Sequence, residues 1–86
     1  MNSREAKEIA GFLAGFARND IPLIRQLITV RKLLKQSQGQ ISREMGVTPG
    51  AISYMEAGKR QGSLETIQKY AEALGLRLAL IPKEPR

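Results

Sequence analysis

The sequence predicts an all-α domain of four to five helices that ends in one short β-strand. Apolar residues recur at intervals of three and four through most of the chain, the spacing of helices with one buried face. Asn, Ser, Thr or Pro stands where each run begins and Gly follows several of the runs, as helix caps do. After Gly75 the apolar period falls to two, which is typical of a strand.

The composition narrows the functions that this chain can perform. Its 86 residues are expected to form one domain with a small core, to which dimerisation would add buried surface. The sequence contains no Cys and no His, so it lacks a disulfide framework, a thiol nucleophile and the commonest general base. We therefore expect no enzyme, no cofactor and no metal site. No apolar run approaches the roughly 18 residues of a membrane-spanning helix.

Residues 1–20 are predicted to form an N-terminal helical extension. Asn2 and Glu5 have the spacing of a reciprocal helix cap. One apolar face is predicted from Ile9, Phe12, Leu13 and Phe16. A signal peptide is not expected here, because Glu5 and Glu8 cancel the positive charge that would precede its apolar run.

Four further helices are predicted between residues 22 and 75. They are expected over 22–36, over 38–45 after a Ser37 cap, near 48–57 after a Thr48 cap, and over 64–74 after a Ser63 cap. Gly46 and Gly75 should end two of them. The predicted buried positions are Ile24, Leu27, Val30, Leu34, Ile41, Met45, Ile52 and Met55. In the last helix the apolar residues with helical spacing are Leu64, Ile67, Ala71 and Leu74.

The strand predicted over 76–81 would be the only one in the chain. Its apolar positions Leu76, Leu78 and Leu80 alternate with Arg77, Ala79 and Ile81. A lone strand leaves backbone groups unpaired, so antiparallel pairing with the same strand of a second subunit would give a twofold dimer. The alternative is a frayed extended tail.

The positive charge is concentrated in the middle of the chain. The sequence has 14 basic and 8 acidic residues, and residues 23–60 contain seven basic against two acidic side chains. A polyanion such as nucleic acid is the partner that this distribution favours. The alternative is a solvated basic surface with no partner.

Residues 37–60, SQGQISREMGVTPGAISYMEAGKR, resemble the phage-repressor and Cro-type (XRE-type) helix-turn-helix family. The runs SLETI at 63–67 and AEALG at 71–75 fit the same family, and the resemblance covers about residues 23–75. It implies a DNA-binding domain over 21–75. The predicted dimerisation strand and tail, over 76–86, would follow that domain. A helical protein-interaction domain is the alternative.

The resemblance also implies structural roles within the motif. Gly46 would make the turn, and the wedge between the two short helices would be filled by Ile41, Met45, Val47, Ile52 and Met55. Arg31 and Glu56 match a partly buried ion pair of related repressors. The alternative is two independent surface charges.

The family likeness assigns DNA contacts to two groups of residues. The positions facing the DNA groove would be Thr48, Pro49, Gly50, Ala51, Ser53 and Tyr54, and the phosphate contacts Gln38, Arg43, Lys59 and Arg60. Each phosphate contact has a solvated surface residue as its alternative. None of the groove-facing positions is Arg, Lys, Gln or Asn, so two-bonded recognition of guanine or adenine is absent. Discrimination should therefore rest partly on the shape and deformability of the DNA.

These features predict a homodimeric, sequence-specific regulator that binds double-stranded DNA at a pseudo-palindromic operator and acts as a repressor in the cytoplasm. The predicted terminal strand resembles HipB-like antitoxins. The chain could therefore instead be an antitoxin that binds a toxin protein and represses its own operon. A restriction–modification controller is a further alternative.

Overall fold

The computed structural model describes residues 1–59, 63–80 and 82, and these residues contain five α-helices. The helices are α1 (Ser3–Arg18), α2 (Leu23–Leu33), α3 (Gln38–Met45), α4 (Pro49–Glu56) and α5 (Leu64–Ala73). Each lies within a segment that the sequence predicts as helical. α3 packs against α4 and α5, whereas α2 contacts α1, α4 and α5.

Local hydrogen bonds define the helix ends. Asn2 Oδ1 accepts from the Glu5 amide at 2.8 Å, and Glu5 Oε1 accepts from the Asn2 amide at 3.1 Å. Ser37 and Gln40 form the same reciprocal cap at the start of α3, with distances of 3.0 and 2.7 Å. Both arrangements satisfy backbone N–H groups that have no partner within the helix.

The core is formed mainly by α2 to α5, and Ile9 adds a contribution from α1. Its buried apolar members are Ile9, Leu27, Val30, Ile41, Ile52, Met55, Tyr70, Ala71 and Leu74. Tyr70 was not among the predicted core residues, although none of its surface is exposed. It lies three residues after Ile67 and four before Leu74, so helical spacing places it on the apolar face of α5.

Three apolar side chains are exposed, although the sequence assigns Phe12 to the apolar face of α1, Val47 to the wedge between α3 and α4, and Leu64 to the apolar spacing of α5. Phe12, Val47 and Leu64 keep 47%, 38% and 69% of their surface accessible. Of the described helices, α2 is the one that packs against α1. It covers only a narrow part of the apolar face of α1, and Phe12 lies outside that part. Val47 lies in the turn and Leu64 is the first residue of α5, where fewer neighbouring groups surround a side chain.

The predicted C-terminal strand is wrong. Residues 76–80 have no regular secondary structure, and the described part of the chain contains no strand with which they could pair. Leu76 and Leu78 instead pack against the core of their own chain, while Arg77 and Ala79 are exposed. The period of two therefore reflects alternate burial on a helical surface. Ile81 lies outside the described residues.

None of the helices described here combines the length and the apolar character that crossing a membrane requires.

Two Gly→Ala substitutions should change stability in opposite directions. Gly46, between α3 and α4, has φ of 71°, so Gly46→Ala should lower the free energy of unfolding by about 1 kcal/mol. Gly11 lies within α1, and an added Cβ would have no neighbour within 4 Å. Gly11→Ala should therefore raise that free energy by about 0.5–1 kcal/mol. Urea denaturation measures both changes, and shifts of the same sign would contradict the backbone assignment.

Candidate nucleic-acid interface

A tight turn sets α4 against α3. The Gly46 amide donates to the carbonyl of Arg43 at 3.3 Å, and the Val47 amide donates to the carbonyl of Ser42 at 3.0 Å. Thr48 Oγ1 then accepts from the Ala51 amide at 3.2 Å, and Pro49 occupies the first turn of α4. These local bonds determine where α4 begins.

The residues predicted to face the DNA lie at the accessible side of α4. Five of the six are exposed and Ala51 is half-buried; the exposed five are Thr48, Pro49, Gly50, Ser53 and Tyr54. Ile52 and Met55 are buried on the opposite side of the same helix. The accessible side therefore offers three hydroxyl groups and small apolar groups, with no charged side chain.

The predicted phosphate contacts occupy different environments. Arg43 on α3 and Lys59 after α4 are exposed, whereas Arg60 lies outside the described residues. Gln38 is half-buried, and its Nε2 donates to Glu56 Oε1 at 3.0 Å. One N–H of the Gln38 amide is therefore directed to a neighbouring helix.

Arg31 and Glu56 form a buried, two-bonded ion pair. Arg31 Nε lies 2.8 Å from Glu56 Oε2, and Arg31 Nη2 lies 2.8 Å from Glu56 Oε1. Their side chains are only 9% and 8% exposed. Arg31 Nη1 also donates to the carbonyl of Gln36 at 2.8 Å, so the pair holds the segment that links α2 to α3.

Tyr70 is a member of this cluster that sequence reasoning missed. Its hydroxyl donates to Glu56 Oε2 and accepts from Arg31 Nε at 3.2 Å. Helical spacing could have indicated its burial, but no sequence pattern indicates which group its hydroxyl contacts. With Tyr70 on α5, the cluster joins α2, α3, α4 and α5 at one carboxylate.

The contacts around Glu56 change the proton affinities of the cluster. Burial raises the pKa of Glu56, but hydrogen bonds from Arg31, Tyr70 and Gln38 outweigh this effect and bring the pKa below its ordinary value of 4.5. The hydrogen bond to Glu56 raises the pKa of Arg31. Burial, followed by the hydrogen bond to Glu56, raises the pKa of Tyr70. Glu56 and Arg31 are therefore charged and Tyr70 is neutral near pH 7.

Within residues 1–59, 63–80 and 82, no three acidic side chains are grouped closely enough to hold a metal ion.

Comparison with known proteins identifies the family. A helix-turn-helix family model matches residues 27–81, which include α3, the turn and α4. The chain belongs to the XRE-type (Cro/C1) helix-turn-helix family. Its members are DNA-binding regulators, as the resemblance of residues 37–60 predicted.

Two curated relatives agree with this family. The chain is 36% identical over 63 residues to antitoxin HigA1 of Mycobacterium tuberculosis, covering 73% of this chain and 42% of the antitoxin. It is 37% identical over 62 residues to an uncharacterized HTH-type transcriptional regulator of Haemophilus influenzae, covering 72% of this chain and 63% of that protein. The chain thus spans less than half the length of the antitoxin. No solved structure gives a significant match.

A double-mutant cycle on the buried pair should show strong coupling. Arg31→Met or Glu56→Gln alone should lower the free energy of unfolding by about 3–5 kcal/mol, because each leaves a buried polar group without its partner. The double variant should lose much less than the sum of the two, as measured by urea denaturation. The exposed Glu65–Lys69 pair, 3.7 Å apart, is the control and should show coupling of about 0.3–0.5 kcal/mol. Additive losses at Arg31 and Glu56 would contradict the pairing.

Acid should destabilise the chain through Glu56. Because its pKa in the folded state lies below 4.5, the unfolded state binds more protons, and stability should fall as pH drops from 4.5 through the folded-state pKa. In Glu56→Gln this part of the pH dependence should disappear, as followed by thermal unfolding at pH 2.5–6. Glu65→Gln, which removes an exposed carboxylate from α5, is the matched control. Equal slopes in wild type and Glu56→Gln would argue against a stabilised carboxylate.

Proposed function

We propose that this chain is a sequence-specific, double-stranded DNA-binding transcriptional repressor that acts as a homodimer. The observation that carries this proposal is the accessible side of α4, held on the described core of an XRE-family domain. In this proposal α4 enters the major groove, while Arg43 and Lys59 contact phosphates beside it. Arg60 and Gln38 remain further proposed phosphate contacts.

Recognition in this proposal uses few direct bonds to bases. Thr48 already caps α4, so the hydroxyls of Ser53 and Tyr54 are the donors most free to bond with bases or phosphates. Pro49 and Ala51 offer apolar contact to thymine methyl groups. Gly50 is exposed and has no side chain, so the backbone of α4 can approach the duplex closely at this position. The remaining discrimination comes from the shape and deformability of the duplex.

A homodimer would place two copies of α4 about 34–36 Å apart on a pseudo-palindromic operator. Of the three leucines predicted to contact a second subunit, Leu80 is fully exposed in the single chain. Leu76 and Leu78 are already half-buried against their own core. The proposed contact between subunits therefore includes Leu80 and does not require a β-ladder.

Selection of bound duplexes from a random pool tests the main proposal. We expect enrichment of a pseudo-palindromic site bound by two chains, with few fixed G·C pairs opposite α4. Tyr54→Ala should weaken binding to the selected duplex about 5- to 100-fold, the range for loss of one specific contact. Gln68→Ala, an exposed position on α5, is the matched control and should leave affinity unchanged. Failure to enrich any duplex would overturn sequence-specific binding.

A second candidate function is that of an antitoxin, which the likeness to HigA1 favours. In that case the chain would also bind a toxin protein and repress the operon that encodes both. A neighbouring gene whose product stops growth, and which this chain neutralises on co-expression, would support it. A neighbouring product that the chain neither binds nor neutralises would contradict it.

A further inference from the structure

An open groove runs between α2 and the unit formed by α3 and α4. Its volume is about 680 Å³. Arg25, Thr29 and Lys32 line it from α2, while Gln38, Ser53 and Gly58 line it from the other side. Arg25 and Lys32 are two of the seven basic residues between positions 23 and 60, and the family likeness assigns neither of them a DNA contact.

The wall formed by α2 presents positive charge along a single stripe. Arg25, Thr29 and Lys32 are four and three residues apart, so they share one face of the helix. Arg25 and Lys32 are exposed and lie about 10 Å apart along the helix axis. Among the described residues, neither has a carboxylate within the 4 Å of an ion pair.

The opposite wall is continuous with the side of α4 that is proposed to face DNA. Ser53 belongs to both surfaces, because it is exposed on α4 and also lines the groove. Glu56 is the one acidic group among the described lining residues, and its charge is balanced by the buried Arg31. The groove therefore carries two unbalanced positive charges, which suit a polyanionic occupant.

We propose that this groove binds the sugar–phosphate backbone of the DNA strand that borders α4, with Arg25 and Lys32 each neutralising a phosphate. The proposal rests on the DNA-binding function proposed above and extends its contact surface from the helix-turn-helix to α2. Successive phosphates of one strand rise 3.4 Å along the duplex axis and lie farther apart than this along the strand itself, so cations about 10 Å apart are not confined to a single phosphate. Two cations at this distance can contact different phosphates of the same strand.

Such contacts predict a specific thermodynamic result. Each neutralised phosphate releases condensed counterions, which contributes about 0.9 to the slope of log affinity against log salt concentration. Phosphates are the same for every sequence, so affinity for a selected duplex and for a scrambled duplex should fall by similar factors. A contact to a base would instead weaken binding to the selected duplex alone.

The test measures binding of the full chain to a selected and a scrambled duplex between 50 and 200 mM salt. Arg25→Gln and Lys32→Gln should each reduce the salt slope by about 0.9, and the double variant by about 1.8, on both duplexes. Lys69→Gln removes the same charge from an exposed position on α5, outside the groove, and should leave the slope unchanged. Unfolding midpoints close to that of the wild type should show that all four variants are folded.

The outcomes separate this proposal from the function on which it rests. If the wild-type chain binds neither duplex, the DNA-binding function itself is overturned. If the wild type binds but Arg25→Gln and Lys32→Gln keep its slope, only the groove assignment is overturned. A slope that falls equally in Lys69→Gln would show a general effect of net charge, which also overturns the groove assignment.

Discussion

The positions of α2, α3, α4 and α5 depend on one constraint, the hydrogen bonding of the buried Glu56 carboxylate. Glu56 receives hydrogen bonds from Arg31, Tyr70 and Gln38, which lie on α2, α5 and α3. A charge removed from water is tolerated only when it is paired and fully hydrogen-bonded, so the positions of these helices are not independent. Glu56 is also the last residue of α4. The cluster therefore holds one end of the helix whose other end is capped by Thr48.

This arrangement explains how a small core can present an accessible helix in a defined position. Ile41 and Ile52 give apolar contact between α3 and α4, but apolar contact alone is non-directional. Hydrogen bonds and paired charges add direction, because they have narrow limits of distance and angle. The apolar core thus supplies cohesion and the Glu56 cluster supplies orientation. α1 lies outside that cluster and joins the domain through apolar contacts of Ile9, Leu13 and Phe16.

Helix caps and turns that depend only on neighbouring residues could be predicted from the sequence. The Asn2 cap, the Gly46 turn and the Thr48–Pro49 start of α4 each depend on neighbouring residues, and the structure has all three. The partners of Gln38 and Tyr70 depend on contacts 18 and 14 residues away, which no local spacing encodes. The conformation of residues 76–80 could not be predicted from their spacing either. A strand and an irregular segment lying on helices can both bury every second residue. Phe12 was misplaced because helical period defines a face but not how widely a neighbour covers it.

The bond between Gln38 and Glu56 has a consequence for recognition. It joins the first residue of α3 to the last residue of α4, the two points of this unit farthest from the turn between the helices. A pair of helices held at both the turn and its open end behaves as a rigid template. In the proposed DNA complex such a template would adjust little to the bases. The work of fitting would then fall on the DNA, which would favour sequences that bend or narrow easily.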